Sequence, residues 1–367
     1  MQALILAGGE ATRLRPLTST IPKPVVPLVD RPFITYMIEW LRAHGVDDVI
    51  LACGFMAADV RSVIGDGASL GVRVRYVEEP RPLGTGGALK YAQELLAERF
   101  LMLNGDILTD IDLGSQLSQH ERTGARATLA LVAVEDPSAY GLVRCGSDHA
   151  VEAFVEKPAE GEADTNLISA GAYVLERDVL DEMAPAGTNV SIERDVFPLL
   201  VGRGLYGYAA PGYWLDIGTP ERYLQGTFDI LSGRVQTELS DRLEREGAVL
   251  IDSPDVEATV IAPALIGADC TLAPDAAVGP DVVLASGVFV GDRARIERSV
   301  LLEGATVGAG SVVSDAIVGP GAQIGDTCQI AAGTVLGEGA VVGSGNALEP
   351  GARIFPGAVL GEEAITP

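Results

Sequence analysis

The spacing of apolar residues gives the chain two different patterns. Over roughly the first 230 residues, short aliphatic runs near 2–6, 48–53, 72–77, 100–104 and 127–134 alternate with stretches of helical period such as Ile34–Ala43 and Gly87–Glu98. Strands buried on both faces read as continuous apolar runs, and strands that alternate with helices pair in parallel because each helix carries the chain back across the sheet. The expected fold is α/β, with a Rossmann-like, mostly parallel sheet covered by helices. Ligands of such sheets sit beyond the carboxyl ends of the strands.

From Val260 the period becomes six. Aliphatic residues recur at Val260, Ile266, Leu272, Val278, Leu284, Val290, Ile296 and Leu302, slip by one to Val307 and Val313, and slip again to Val318. They then run through Ile324, Ile330, Leu336, Val342, Leu348, Ile354 and Leu360. Neither a helix nor an ordinary strand repeats every six residues for so long. A parallel β-helix does, because each coil stacks its aliphatic residues on the coil below. About eighteen hexads make roughly six three-sided coils of a left-handed parallel β-helix. The expected boundaries are 1–232 for the α/β domain, 233–257 for a connection and 258–367 for the β-helix. Glu221–Glu246 reads as one charged helical stretch near that junction.

Charge and composition restrict the partners. A formal charge of −25 disfavours nucleic acid and anionic membrane surfaces. No apolar run approaches the roughly 18–20 residues of a membrane helix. The Gln2–Leu6 run has no basic residues before it and reads as a first strand, not a signal peptide. Cys53, Cys145, Cys270 and Cys328 are scattered, which argues against disulfides or zinc and for a cytoplasmic location. Among 26 basic residues only Lys23, Lys90 and Lys157 are lysines. A chain that otherwise uses arginine should keep lysine where a compact ammonium is needed. Lys23 and Lys157 fall in motifs; Lys90 is expected on a solvated helix face. The three histidines form no constellation and are expected at the surface.

The first strand runs into Leu6-Ala-Gly-Gly-Glu-Ala-Thr-Arg-Leu-Arg-Pro-Leu-Thr18, followed by Ile21-Pro-Lys-Pro24. Gly8 and Gly9 let backbone N–H groups approach a phosphate, while Arg13 and Lys23 supply positive charge. The string is neither a Walker A loop nor the dinucleotide fingerprint. Further along come Glu79-Pro-Arg-Pro-Leu-Gly-Thr-Gly-Gly87, Asn104-Gly-Asp106, Tyr140-Gly141 and Phe154-Val-Glu-Lys-Pro158. Ser191-Ile-Glu-Arg-Asp-Val-Phe-Pro198 and Tyr213-Trp-Leu-Asp-Ile-Gly218 complete the series. Together with the β-helix, these segments resemble the sugar-nucleotide pyrophosphorylase family over almost the full chain, in its mannose-1-phosphate guanylyltransferase branch. The family's usual opening is G-G-x-G-T-R-L-x-P-L-T…P-K-P. Two positions depart from the pattern: Ala11 replaces a glycine, and Ser169 replaces the asparagine of an N-A-G stretch.

The resemblance implies that a sugar 1-phosphate attacks the α-phosphorus of a nucleoside triphosphate in line, and pyrophosphate leaves. Crowded anions make charge neutralisation and alignment the main catalytic task. The implied catalytic residues are Arg13, Lys23, Asp106 and Asp216, with Asp106 and Asp216 holding Mg2+, which prefers oxygen ligands. The nucleotide is expected along Leu6, Ala7, Gly8 and Gly9, with Thr12, Arg13 and Lys23 on the loop that follows. Glu79, Gly84, Thr85 and Asp106 complete its site. The sugar phosphate is expected at Gly141, Glu156, Lys157 and Ser169, with Lys157 taking the phosphate and Glu156 a sugar hydroxyl. Glu79, near the nucleobase edge by family position, suits guanine, whose N1–H and 2-amino group are adjacent donors.

The expected reaction is therefore GTP plus mannose 1-phosphate to GDP-mannose. The alternatives are thymidylyl or uridylyl transfer to glucose 1-phosphate, and an inactive regulatory subunit that senses nucleotide sugars. Acyl transfer, which other β-helices carry out with a histidine base, is disfavoured: His44, His120 and His149 all precede the repeat. The β-helix is expected to serve packing, regulation or assembly into a homo-oligomer.

Overall fold

The computed structural model describes residues 1–159, 164–247, 249–253, 256 and 258–366. The chain forms two compact units, Met1–Gly9 with Ile34–Trp214, and Glu10–Phe33 with Leu215–Pro367.

In the first unit, β1 (Gln2–Ala7), β2 (Asp48–Cys53), β3 (Arg73–Glu78) and β4 (Arg99–Asn104) lie side by side in the order β3-β2-β1-β4, all parallel. Leu4, Ile5, Ile50, Leu51, Met102 and Leu103 are each 0% exposed, so successive residues on both faces are covered. That double burial is why these strands read as unbroken apolar runs. The helix expected at Gly87–Glu98 instead spans Gly84–Tyr91 and is followed by a separate 3-10 turn at Gln93–Leu95. It starts early because the Gly86 and Gly87 N–H groups both donate to the Val190 carbonyl, at 2.9 and 3.1 Å.

The sheet continues through β5 (Ala127–Ala133), β6 (Gly141–Cys145), β7 (Val151–Glu156), β8 (Leu167–Glu176) and β9 (Leu205–Ala209). Strand β8 runs antiparallel to β4, β5 and β6, so it joins the parallel half to an antiparallel extension. Its register against β5 breaks between Ser169 and Tyr173. Such breaks re-aim side chains next to functional sites. Two surface expectations fail in this unit. His120 is 1% exposed and hydrogen-bonds Thr128 Oγ1 at 2.8 Å and Glu176 Oε1 at 3.1 Å. Lys90 donates to the Leu180 carbonyl at 3.0 Å. In both cases a helix face is covered by a segment distant in sequence.

The second unit contains three parallel sheets of seven, six and six strands, the three walls of a β-helix consistent with the left-handed hexapeptide form. Ile266 stacks on Leu284, Leu272 on Val290 and Val278 on Ile296. The slip in the repeat is placed differently from the sequence reading. Leu284 pairs with Leu301 and Leu301 with Val318, so Leu301 and not Leu302 points into the coil. The shortened corner is Glu297–Ser299, turned by Arg298 at φ 46°. Leu302 is also buried, at 1% exposure, so hydrophobicity could not choose between the neighbours.

Arg298 pairs with Asp315 at 2.7 Å in the next shortened corner and lies 4.7 Å above the Phe228 ring. This ties the β-helix to α1 (Pro220–Leu231). The single helical stretch expected at Glu221–Glu246 is in fact two helices, α1 and α2 (Glu238–Glu246). Gly233 at φ 70° follows the end of α1, and Thr237 and Ser240 cap α2 reciprocally at 2.9 and 2.8 Å.

Candidate active site

In the first unit, Gly105 fixes the position of Asp106. Its N–H donates to the Leu6 carbonyl at 2.9 Å, and a β-carbon at 105 would lie 2.3 Å from that oxygen. Only glycine permits this approach. Asp106 is thereby held next to Leu6 at the carboxyl ends of β1 and β4, the edge where such sheets bind ligands. Glu79 reaches the same edge from β3. Its Oε2 accepts from the Leu83 N–H at 3.0 Å, and its Oε1 lies 2.9 Å from the point a β-carbon on Gly8 would occupy. Burial raises the Glu79 pKa above its ordinary value, partly opposed by the Leu83 N–H. The structure thus brings Leu6, Gly8, Glu79 and Asp106 together.

Strands β6 and β7 set Gly141 opposite Glu156, with Glu156 Oε2 2.8 Å from the β-carbon position of Gly141. The Lys157 N–H donates to the Tyr140 carbonyl at 3.0 Å, and Lys157 takes φ 52°. A lysine held in this left-handed region is strained, a condition that persists only where its surroundings enforce it. Tyr140 packs edge-on to Trp214 at 5.4 Å, and the Trp214 indole donates to the Ala170 carbonyl at 2.8 Å. Beside it the Ser169 hydroxyl donates to the Tyr173 hydroxyl at 3.1 Å.

Tyr173 is the centre of this group. Burial, then the charge of Glu193, raises its pKa well above the ordinary value; Glu156 and Asp106 act in the same direction. Glu156 itself is pushed upward, first by burial and then by Glu193, with Lys157 and Arg194 opposing. Gly84 and Thr85, expected at the nucleotide, make internal contacts here. A β-carbon on Gly84 would lie 2.5 Å from the Val190 carbonyl oxygen. The Thr85 hydroxyl donates to Glu193 Oε2 at 2.6 Å and accepts from the Ile192 N–H at 2.9 Å.

In the second unit, Ala11 adopts the glycine-like conformation of the family loop, φ 47° and ψ 46°. Its carbonyl accepts from the Thr18 hydroxyl at 2.8 Å and from the Leu14 N–H at 3.0 Å, which hold the strained turn. An L-residue in this region costs about 1–2 kcal/mol, so Ala11→Gly should stabilise the protein by about 1 kcal/mol. A denaturation midpoint equal to or below that of the parent would refute this.

The turn Thr12–Leu14 carries Arg13, and the β-carbon position of Gly218 lies 2.6 Å from Arg13 Nη2 and 3.0 Å from Asp216 Oδ1. Asp216 Oδ2 accepts from Arg222 Nη1 at 3.0 Å. Lys23 opens the short turn Lys23–Val25, and Arg15 pairs with Glu10 at 3.1 Å.

Four residues described above were not read from the sequence: Gly105, Tyr173 and Glu193 in the first unit and Arg222 in the second. Gly105 and Glu193 lay inside quoted motifs, and Arg222 follows shortly after one. Only the fold shows what each touches. Among the described residues no group of three or more His, Cys, Asp or Glu could enclose a metal. Asp106 in the first unit and Asp216 in the second each offer the hard oxygen donors that a divalent cation such as Mg2+ prefers.

The comparisons agree with this chemistry. The nucleotidyl transferase family matches residues 2–233, and the GMPPB C-terminal domain matches residues 260–366. Mannose-1-phosphate guanylyltransferase of Mycobacterium tuberculosis is 38% identical over 283 residues, covering 75% of this chain and 77% of its own length. Mannose-1-phosphate guanylyltransferase 1 of Arabidopsis thaliana is 37% identical over 282 residues, covering 74% and 76%. Among solved structures, HddC from Yersinia pseudotuberculosis is similar with a TM-score of 0.53 and 29% identity, covering 62% of this chain and 97% of its own. No helix among the described residues is long and apolar enough to cross a membrane. The chain belongs to the nucleotidyl transferase family and is a sugar-1-phosphate nucleotidyltransferase of the mannose-1-phosphate guanylyltransferase group.

Proposed function

We propose that the chain transfers a guanylyl group from GTP to mannose 1-phosphate. A phosphate oxygen of the sugar attacks the α-phosphorus, the bond to the β-phosphate oxygen breaks, and pyrophosphate leaves with that electron pair. The observation that carries guanine is Glu79. Its carboxylate is half-buried against Gly8 and offers an acceptor that guanine's N1–H and 2-amino group match and that the uracil or thymine edge does not. The HddC structure complexed with GMP-PN supports the same base. Mannose rests on the names of the relatives.

In this reading residues 1–232 form the nucleotidyltransferase domain, 233–257 a connection and 258–367 the β-helix. Arg13 and Lys23 steady the triphosphate, Lys157 binds the sugar's phosphate, and Glu156 accepts from a sugar hydroxyl. Gly8, Gly9 and Thr12 line the triphosphate, while Gly84, Thr85, Gly141 and Ser169 shape the two subsites. Asp106 and Asp216 hold the divalent cation, Mg2+, which supplies charge neutralisation when bound. A matrix of nucleoside triphosphates against sugar 1-phosphates, read by pyrophosphate release, tests the assignment. GTP with mannose 1-phosphate should give the highest kcat/KM. A tenfold preference for dTTP or UTP would reject guanine.

A further inference from the structure

We propose that Glu193 is a second acceptor for sugar hydroxyls, paired with Glu156, and thereby a specificity-determining residue of the sugar-phosphate subsite. The proposal rests on the reading of Glu156 as a sugar contact and goes beyond it by assigning a role to the Ser191–Phe197 segment.

The geometry has three parts. Glu193 sits on a widened π-type turn, Ile192–Val196, a form that often marks functional positions. That turn lies against both Val151–Glu156, the strand ending in Glu156, and Gly84–Tyr91, the helix opening at Gly84. Its carboxylate is also fixed before any ligand arrives: Oε2 accepts from the Thr85 hydroxyl at 2.6 Å and from the Ser191 hydroxyl at 2.8 Å. Ser191 is held in turn, its hydroxyl accepting from the Arg194 N–H at 3.2 Å and its own N–H donating to Asp195 Oδ2 at 2.8 Å. Finally, the charges of Glu193 and Glu156 both act on the buried Tyr173 phenol, and the charge of Glu193 acts on Glu156.

The two carboxylates repel each other, and Lys157 and Arg194 oppose that effect on Glu156 through their charges. A ligand presenting several O–H donors relieves that arrangement, and a hexose does so, since each hydroxyl donates one hydrogen bond and each carboxylate oxygen accepts. Tyr173 adds a polar floor beside Ser169. A sugar lacking the matching hydroxyl, or carrying it in the other configuration, would leave a half-buried carboxylate unpaired. Unpaired polar groups of this kind are what give such sites their discrimination.

The test is steady-state pyrophosphate release by the full chain, with the triphosphate and sugar phosphate that turn over best. Glu193→Gln keeps the shape and an acceptor oxygen for Thr85 and Ser191 but removes the charge. It should raise KM for the sugar phosphate about tenfold, leave KM for the triphosphate within twofold, and weaken sugar-phosphate binding equally in calorimetry. It should also shift the acidic limb of kcat/KM for the sugar phosphate to lower pH. Around Glu156 the charged groups are Glu193, Lys157 and Arg194, and removing Glu193 takes away the repulsion that raises its pKa.

A residue that merely anchored Thr85 would raise both KM values and leave the limb in place, and that result overturns the proposal. So does an unchanged sugar-phosphate KM. If Glu193→Gln does not fold, Glu193→Asp provides the test: the charge remains at shorter reach, so KM for the sugar phosphate should rise while the limb stays. No rise overturns the idea. Glu156→Gln separates this from the parent reading: that reading fails if its sugar-phosphate KM is unchanged, whereas the present one fails if only Glu156→Gln has an effect.

Discussion

Replacing Asp106 by asparagine is expected to lower kcat for pyrophosphate release by about a thousandfold, the scale seen when one preorganised electrostatic contact to a transition state is lost. The substitution preserves shape. The backbone there is set by Gly105, whose N–H donates to the Leu6 carbonyl at 2.9 Å, and an amide at 106 does not disturb that contact. The fold should therefore survive, with a melting temperature within a few degrees of the parent. Under the proposed assignment, the substitution removes an anionic oxygen donor for the divalent cation at the point where four negative groups crowd together. Two measurements check this: pyrophosphate release at saturating substrates, and a Mn2+ titration in the presence of nucleotide. Full turnover in Asp106→Asn, with unchanged Mn2+ affinity, would remove Asp106 from the metal site.

The second large effect is on base choice. Glu79→Gln should reduce kcat/KM for GTP about a hundredfold and narrow the gap to UTP or dTTP, because an amide offers one acceptor and a competing donor where guanine presents two donors. The pH dependence gives an independent check. Burial holds the Glu79 pKa above its ordinary value. Only the ionised form accepts from both guanine donors, so GTP affinity should rise with pH through that elevated range and then level off. The acidic limb should therefore lie at higher pH than an exposed glutamate would give, and Glu79→Gln should lack it. An identical limb in the variant, or an unchanged GTP-to-UTP ratio, would assign base recognition to another residue.

Both predictions start from motifs that could be read in the chain, yet their physical content came from the fold. The Asn104-Gly-Asp106 and Glu79–Gly87 segments gave the residue types. That Glu79 Oε1 lies within 2.9 Å of the β-carbon position of Gly8 depends on β1 and β3 lying on either side of β2. No spacing rule contains that distance. Thr85 is a further case. The resemblance places it at the nucleotide, and only the fold shows its hydroxyl donating to Glu193 and accepting from the Ile192 N–H. Glu193 itself was visible only as part of a family string, because one of its partners, Thr85, lies on a helix more than a hundred residues earlier.

The sequence by itself determined the features that follow from local periodicity. Strands of the parallel half appear as unbroken aliphatic runs because both faces are buried. The β-helix appears as period six because each coil must place an aliphatic residue inward at every side. Gly8 was read as a point of close backbone approach, and a β-carbon there would lie 2.9 Å from Glu79 Oε1. Only the tertiary structure decided the rest, wherever two neighbours were equally apolar or a partner came from a distant segment. It placed Leu301 and not Leu302 in the coil, split Glu221–Glu246 into two helices, and buried His120 between Thr128 and Glu176. It also brought the charges of Glu193 and Glu156 to bear on one buried tyrosine, Tyr173. Periodicity records which face of an element is covered; which residue covers it depends on long-range packing that no local pattern encodes.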